Sequence, residues 1–406
     1  MRSEPLRRVR AWRCALALAA AAAVSALPAQ ALDTLPGGIV RFDDYRAPDG
    51  FYAFWPVLPQ GVDVYARDSL GLTVFSHGYG KINPINYGAW LRHLVTEQRQ
   101  VVLYPRYQRN WAMPGSKAFA KTHNAGLRAG LAAVDTLVPA LSHAPPIYIG
   151  HSYGGVLTAF VLANGDSLGY APAFGAIVSA PGTNRLKGSR LTGYGDVDAA
   201  TQLIIVTHEA DPITGDEFAR LLYETVPDSA RALWLHQTAE VHGEESLGQG
   251  HSECYAIDEA FDHGRNRLMA AHARRIARED ALDHELYWAL ADEMIAARRE
   301  RRLHAALRTT GGAYPFGQWS DGTPRRALRA YVKRAAAPLP FVERYGRELV
   351  LDFLSEPHDH LPPPRDVRVP YRLEEMLQRL STPAEEMPAA SPPVAPAEAD
   401  GPAPRR

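Results

Sequence analysis

The chain has 406 residues, of which 46% are hydrophobic and 22% are charged, and its formal net charge is −1. This composition is typical of a globular protein with a large core, and the length suits one large domain with an appendage or two modest domains. Because the charges nearly balance, no basic face is indicated and nucleic acid is not expected as a partner.

The first 31 residues have the layout of a secretory signal peptide. A basic start between Arg2 and Arg13 is followed by an apolar run from Ala15 to Leu27 and by small residues at Ala29 and Ala31. The run is shorter than the ~20 residues that span a bilayer, so cleavage after Ala31 is favoured over a permanent anchor. We therefore expect an exported protein, periplasmic or secreted, without stable membrane insertion.

Removal of residues 1–31 would leave 39 basic and 44 acidic residues, a net charge of −5. It would also remove Cys14, so that Cys254 remains as the single cysteine. An exported protein with one cysteine is expected to depend on its core and not on disulfides.

Short apolar runs alternate with helical patterns through the middle of the chain. Because the runs are continuous instead of alternating with polar residues, they predict a mostly parallel sheet covered by helices on both faces. Antiparallel edge strands are expected before Leu70. The predicted strands are Leu72–Phe75, Val101–Tyr104, Ile147–Ile149, Ala176–Val178, Leu203–Val206 and Ala232–Leu235. The predicted helices are Tyr87–Glu97, Lys117–Leu141, Val156–Ala163 and Asp216–Glu224.

After about Tyr255 the pattern predicts no further strand. Residues 257–308 are dense in helix-forming residues, with a break near Glu279-Asp280, and further helical segments follow. We predict a helical C-terminal extension over residues 281–375. It could act as a lid, as a surface for a homodimer, or as cladding of the sheet domain, and cladding is favoured. Residues 376–406 are rich in Pro and Ala, which predicts a disordered tail.

The run Gly150-His151-Ser152-Tyr153-Gly154 matches the G-x-S-x-G pattern of a nucleophile elbow. It directly follows the predicted strand ending at Ile149 and directly precedes a predicted helix, which is the context that the elbow requires. The glycines allow a tight turn, and the N–H groups at the start of the helix favour developing negative charge. We therefore predict Ser152 as a nucleophile, in preference to a plain tight turn.

A second run, Phe75-Ser76-His77-Gly78-Tyr79-Gly80, ends the first predicted parallel strand. Gly78 is expected to leave room for a substrate carbonyl. The backbone N–H groups of Tyr79 and Tyr153 could together form an oxyanion hole. His77 is expected to orient this loop by hydrogen bonding, in preference to a catalytic role.

With His77-Gly78-Tyr79-Gly80, the helix Asn86–Leu94 and the run Val101–Pro105, the chain resembles secreted α/β-hydrolases. The nearest branch is the dienelactone hydrolase, chlorophyllase and cutinase-like polyester hydrolase group. The similarity covers about residues 70–255. It implies an α/β-hydrolase domain over residues 32–280, a Ser–acid–His triad in that chain order, and neither metal nor cofactor.

The implied acid is Asp211. It stands in a loop after the predicted strand Leu203–Val206 and is similar to the acid loop of the family. Glu209 is the competing carboxylate in the same loop. Asp196 and Asp198 precede the strand and are expected to be solvated loop charges.

The implied base is His251, in Gly248-Gln249-Gly250-His251, which resembles the family's Gly-x-Gly-His turn. His242 is the alternative base, and His236 is expected to lie within the sheet. A metal site that uses His242, His251 and the intervening acids is disfavoured, because ligand spacing on a helix is absent. The run His358-Asp359-His360 is interpreted as a solvated loop.

These residues predict acyl transfer on a small or polymeric ester. Ser152 would attack, His251 would act as general base, and Asp211 would fix the tautomer of the imidazole. Two alternatives stay open: a peptidase or thioesterase with the same triad, and a catalytically dead binding module on the same scaffold.

Overall fold

The computed structural model describes residues 32–44, 50–58, 70–108, 116–138, 140–182, 194–227, 231–247, 250–264, 267–309 and 312–332. All of them lie in the first of two units, Met1–Val369 and Pro370–Arg406. The predicted signal peptide, the predicted tail, the extension beyond residue 332 and the run His358–His360 lie outside the described residues.

Eleven of the strands in the described ranges form one sheet, and two others form a separate short hairpin. The order in the sheet is β1-β2-β3-β5-β4-β6-β7-β8-β9-β13-β12, and β10 pairs with β11. In chain order the strands are β1 Leu32–Leu35, β2 Ile39–Asp43, β3 Phe51–Pro56, β4 Gly71–Ser76, β5 Gln100–Pro105, β6 Ile147–His151, β7 Gly175–Ser179, β8 Gln202–His208, β9 Arg231–Gln237, β10 Val241–His242, β11 Glu245–Ser246, β12 Ala313–Tyr314 and β13 Leu328–Val332.

The six predicted strands are confirmed as the parallel part of this sheet, β5-β4-β6-β7-β8-β9. The expected antiparallel edge strands are confirmed as β1, β2 and β3. Every residue of β4 to β8 is buried, which explains why these strands appear in the sequence as continuous apolar runs.

Helices cover both faces of the sheet, as predicted. They are α1 Gly88–Thr96, α2 Ser116–Leu137, α3 Tyr153–Leu168, α4 Glu217–Thr225, α5 Arg267–Ile276 and α6 Ala289–Glu300, and a π-helical turn, Asp283–Trp288, leads into α6. Residues of α2, α3 and α4 share one core cluster with Val101 and Leu103 of β5. Residues of α1, the π turn and α6 share the other with Val102 and Tyr104. Successive residues of β5 thus contribute their side chains to opposite cores.

The prediction that strands stop after about Tyr255 is wrong at two places. Strand β13 pairs antiparallel with β9, with Ala330 opposite Leu235, and β12 pairs with β13. In β13 the side chains of Leu328 and Ala330 are buried while Arg329 is exposed, which is the alternation of a strand with one covered face. The helical part of the extension packs on the sheet, and Leu286 and Met294 are fully buried in the second core.

The parallel strands β4, β6 and β8 all end at the same edge of the sheet. The loop after β4 carries Gly78 and Tyr79, the turn after β6 carries Ser152, and the loop after β8 carries Asp211. In parallel α/β sheets the carboxyl ends of the strands are where sites form. The topology therefore brings the predicted residues to one edge.

Candidate active site

Ser152, between β6 and α3, has a positive φ, with φ 55° and ψ −121°, which non-glycine residues rarely adopt. Such a conformation costs a non-glycine residue about 1–3 kcal/mol, and the turn around it holds it in place. A Cβ at Gly154 would lie 2.0 Å from the carbonyl oxygen of Ser76, and one at Gly150 would lie 2.6 Å from the carbonyl oxygen of Gly154. The turn closes only because both positions are glycine, and it joins a strand directly to a helix.

Ser152, His251 and Asp211 are brought together in one line of hydrogen bonds. The Nε2 atom of His251 lies 2.8 Å from Oγ of Ser152, and its Nδ1 atom lies 2.8 Å from Oδ2 of Asp211. The Asp211 side chain is almost fully buried, and the His251 ring is 13% exposed. Because a carboxylate only accepts, Nδ1 carries the proton and Nε2 faces the serine hydroxyl.

The Asp211 carboxylate is held by four hydrogen bonds. Besides His251, it accepts from the backbone N–H groups of Ile213 and Thr214 and from the Thr214 hydroxyl, at 2.7, 3.2 and 2.8 Å. Burial alone would raise the pKa of Asp211, but the charge of His251 and these hydrogen bonds outweigh it and lower the pKa below its usual range. The group is therefore ionised and fixed in direction.

The competing residues lie elsewhere. Glu209 accepts a hydrogen bond from the backbone of Ala239 at 2.9 Å, on the exposed side of its loop. His242 lies 2.8 Å from Asp321 and stacks on Trp319. His236 lies in β9, as expected, within 2.9 Å of the Thr207 hydroxyl.

The loop after β4 is tied down on both sides of Tyr79. The Gly78 N–H donates to the Tyr87 hydroxyl at 2.9 Å, and the Gly80 N–H donates to Oε1 of Gln108 at 2.7 Å. The side chains packed against the loop give a reason for glycine at position 78, since a Cβ there would lie 2.8 Å from Nδ1 of His151. The expected room for a substrate carbonyl stays a prediction.

His77 makes the hydrogen bond that was expected of it. Its Nδ1–H donates to the carbonyl oxygen of Gly78 at 2.7 Å, and its ring stacks between Tyr104 and Tyr107. Burial lowers the pKa of His77 to about 3, so the ring is neutral. The ring of Tyr153 also packs on Tyr107, which directs this side chain into the core.

Sequence reasoning missed the role of four buried polar residues around this edge: Tyr87, His151, Lys81 and Asp283. The first two join the loop after β4 to the loop of His251. Lys81 lies over the ring of Tyr255, and Asp283 lies in the π turn. For Tyr87 and His151 the sequence offers one signal, a histidine directly before the elbow serine. For Lys81 and Asp283 it offers none, because these side chains are buried by residues far away along the chain.

Within the described residues, no helix is both long and apolar enough to cross a membrane. In the same part of the chain, no three His, Cys, Asp or Glu side chains are grouped so as to hold a metal ion.

No protein-family model matches the chain, and no curated protein matches it. Among solved structures, one similar protein is an alpha/beta hydrolase enzyme from a Medee basin deep-sea metagenome library. The two are 13% identical with a TM-score of 0.37, and the alignment covers 60% of this chain and 95% of the other. The sheet order, the antiparallel edge and the helices on both faces are those of the α/β-hydrolase fold.

Proposed function

We propose that the chain is a serine hydrolase that cleaves carboxylic esters through an acyl-enzyme intermediate. The observation that carries the proposal is the line of hydrogen bonds from Asp211 through His251 to Ser152, with 2.8 Å at each link. A nucleophile, a base and an acid that orients the base, in this order, are what acyl transfer requires.

The proton path follows from the hydrogen bonds. As Oγ of Ser152 attacks the ester carbonyl, its proton moves to Nε2 of His251, and the carboxylate of Asp211 stabilises the imidazolium. His251 then donates this proton to the departing alcohol, and the acyl group stays on Ser152. A water molecule next attacks the acyl carbonyl and gives a proton to Nε2 of His251. As the bond between Oγ and the acyl carbon breaks, His251 returns this proton to Oγ of Ser152, which releases the carboxylic acid and restores the enzyme.

In this proposal the backbone N–H groups of Tyr79 and Tyr153 hold the oxyanion. Tyr153 is the first residue of α3, where the helix dipole favours negative charge. The hydrogen bonds of Gly78 and Gly80 fix the loop on either side of Tyr79. Donors that are fixed before the reaction are the effective ones, and loss of one donor typically lowers turnover on the order of 100- to 1000-fold.

The finer parts of the proposal rest on the sequence. The resemblance of residues 72–108 to the dienelactone hydrolase, chlorophyllase and cutinase-like group supports a small or polymeric ester as substrate. The basic and apolar pattern of residues 1–31 supports export to the periplasm or the medium. A homodimer formed through the predicted extension, residues 281–375, stays part of the proposal on the composition of that segment alone. The proposed reaction uses no metal, cofactor or nucleic acid.

Labelling with a fluorophosphonate probe tests the proposal. The wild-type protein should carry the label on Ser152 in peptide mapping, and a folded Ser152→Ala variant should not be labelled. A series of p-nitrophenyl esters of increasing chain length should be hydrolysed by the wild type alone. Faster cleavage of matched anilides or thioesters would indicate a peptidase or thioesterase instead. A folded wild type that neither labels nor hydrolyses would be a binding module, and the proposal would be wrong.

A further inference from the structure

A chain of buried hydrogen bonds joins the two halves of the candidate site from behind. The Gly78 N–H lies 2.9 Å from the Tyr87 hydroxyl, which lies 2.9 Å from Nδ1 of His151. The Nε2 atom of His151 lies 2.8 Å from the carbonyl oxygen of His251. The chain starts in the loop of the proposed oxyanion hole and ends on the main chain of the proposed base.

The donors and acceptors in this chain can be assigned. A carbonyl oxygen only accepts, so Nε2 of His151 carries a proton and donates it to His251. Burial chiefly lowers the pKa of His151 far below 6.5, with a further contribution from the nearby His251 ring. The ring is therefore neutral, Nδ1 accepts from the Tyr87 hydroxyl, and the Tyr87 oxygen accepts from Gly78. The Tyr87 hydroxyl also hydrogen-bonds with the Tyr255 side chain, which leaves its donation to Nδ1 of His151 unchanged.

The residues packed around this chain of hydrogen bonds restrict the motion of its side chains. The side chains of His151 and Tyr87 are fully buried. The ring of Tyr255 meets both of them edge-on, with centroid distances of 5.2 Å to each. Gly78 lies so close that a Cβ on it would be 3.1 Å from the Tyr87 hydroxyl. Packing at this density transmits a displacement of one group to the next.

We propose that His151 and Tyr87 are positioning residues, which hold the main chain of His251 and the loop of Gly78 in one fixed geometry. The inference rests on the proposed function, because it assigns the pair to the same acyl-transfer site. His151 directly precedes Ser152 in the chain, but in the described structure neither the His151 nor the Tyr87 side chain hydrogen-bonds with Ser152 or Asp211. Their effect passes through the two loops, whose alignment sets where the base and the oxyanion donors meet the substrate. A misplacement of about 1 Å can lower turnover about 100-fold.

A matched pair of variants at one position tests this proposal. In His151→Asn the amide lies near the former Nδ1 position, so it can contact Tyr87 but is too short to reach the His251 carbonyl. In His151→Gln the amide extends as far as Nε2 and can donate to that carbonyl. This variant gives up the contact with Tyr87, but the Tyr87 hydroxyl still accepts from the Gly78 N–H and so still holds the loop of Gly78. We expect kcat of the Asn variant to fall about 10- to 100-fold with little change in KM, and the Gln variant to keep most of its kcat.

Tyr87→Phe tests the other half of the chain. It removes only the hydroxyl, and the ring keeps its contact with Phe75 at a centroid distance of 4.8 Å. We expect a loss of kcat in the same range as for His151→Asn. The double variant should lose less than the product of the two single losses, because both break one chain of hydrogen bonds. Tyr87→Phe also serves as the test if His151→Asn does not fold.

Two readouts separate positioning from a purely structural role. The first is kcat per active site, counted by fluorophosphonate titration, so that unfolded protein does not contribute. The second is the low-field proton resonance of the His251–Asp211 hydrogen bond in NMR spectra. This resonance should be sharp in the wild type and in His151→Gln, and broadened or lost in His151→Asn.

The outcomes are distinct. Unchanged kcat per titrated site in both His151→Asn and Tyr87→Phe would overturn the inference, and so would equal losses in the Asn and Gln variants. In those cases the wild type still labels on Ser152 and the proposed function stands. Absence of labelling in the wild type, with activity retained in Ser152→Ala, would overturn both proposals together.

Discussion

The ammonium group of Lys81 lies 4.8 Å from the ring centroid of Tyr255. The Lys81 side chain is 5% exposed, and its Nζ has no hydrogen-bond partner among the described residues. Burial therefore lowers the pKa of Lys81 to about 7. The aromatic face replaces only part of the lost hydration, since a desolvated cation–π contact is worth about 2 kcal/mol.

We predict that Lys81 makes the protein less stable at low pH. Between pH 7 and 10.5 the unfolded chain binds more protons at Lys81 than the folded chain, so stability rises with pH across this window. In Lys81→Met this contribution disappears and the stem still fills its space. Melting temperatures measured from pH 6 to 9 should therefore show the largest advantage of the Met variant at the lowest pH. Parallel curves for the two proteins would contradict the prediction.

Asp283 should make the stability of the fold depend on pH in the opposite direction. It lies fully buried in the π turn; its Oδ2 accepts from the Asp280 N–H at 3.0 Å, and its Oδ1 has no hydrogen-bond partner among the described residues. Burial raises the pKa of Asp283 to about 8, so the folded chain binds more protons there between pH 3.8 and 8. Stability should fall as pH rises through that window.

Asp283→Asn tests this second slope. The amide keeps an acceptor for the Asp280 N–H and cannot ionise, so the variant should gain melting temperature over the wild type progressively toward pH 8. Asp135→Asn, on the exposed face of α2, is the control and should leave the pH dependence unchanged. A wild type whose stability does not decline between pH 5 and 8 relative to Asp283→Asn would show that Asp283 is ionised in the fold.

Two glycines of α3 should respond in opposite ways to alanine. In Gly154→Ala the new Cβ would lie 2.0 Å from a backbone oxygen, so the elbow must distort, and we expect both soluble yield and esterase activity to collapse. In Gly165→Ala the new Cβ meets nothing within 4 Å. Alanine there should stabilise the helix by about 0.5–1 kcal/mol without loss of activity. Soluble yield and ester hydrolysis check Gly154→Ala, and denaturant unfolding checks Gly165→Ala. Normal yield and activity of Gly154→Ala, or a loss of stability in Gly165→Ala, would contradict the prediction.

The sequence predicts most of this fold because its signals are local. Continuous apolar runs mark β4 to β9, and the glycines around Ser152 reveal the elbow. Strand β13 was missed because it is short, isolated and flanked by arginines, and its buried face appears only once it pairs with β9. The environments of Lys81 and Asp283 were missed for a similar reason. The burial of a single charge depends on residues far away along the chain, which no local pattern encodes.

Substitution of the two histidines considered as the base, His251 and His242, should lower kcat to very different extents. His251→Ala should lower kcat by at least about 1000-fold, since removal of a triad member typically has effects of this size. His242→Ala removes a partly exposed pair with Asp321 and should change kcat less than about threefold. Ester hydrolysis normalised to folded protein checks both variants. The reverse ranking would make His242 the base.

The last prediction concerns the segment after Asp280, whose role as lid, dimer surface or cladding stays a prediction. In the described structure β13 covers the edge of β9, and the π turn and α6 fill the second core with Leu286, Leu290 and Met294. Truncation after Asp280 would therefore expose an unpaired strand edge and a large apolar surface, both of which promote aggregation.

We expect this truncated chain to be insoluble or aggregated and to lack esterase activity. Removal of residues 376–406 alone is the matched control, because that composition has little to bury, and it should leave solubility, oligomeric mass and turnover unchanged. Light scattering and p-nitrophenyl ester hydrolysis on both truncated proteins check the prediction. If the chain truncated after Asp280 is instead a soluble and fully active monomer, residues 281–332 do not complete the core. Their contacts with the sheet would then contribute little to the free energy of unfolding.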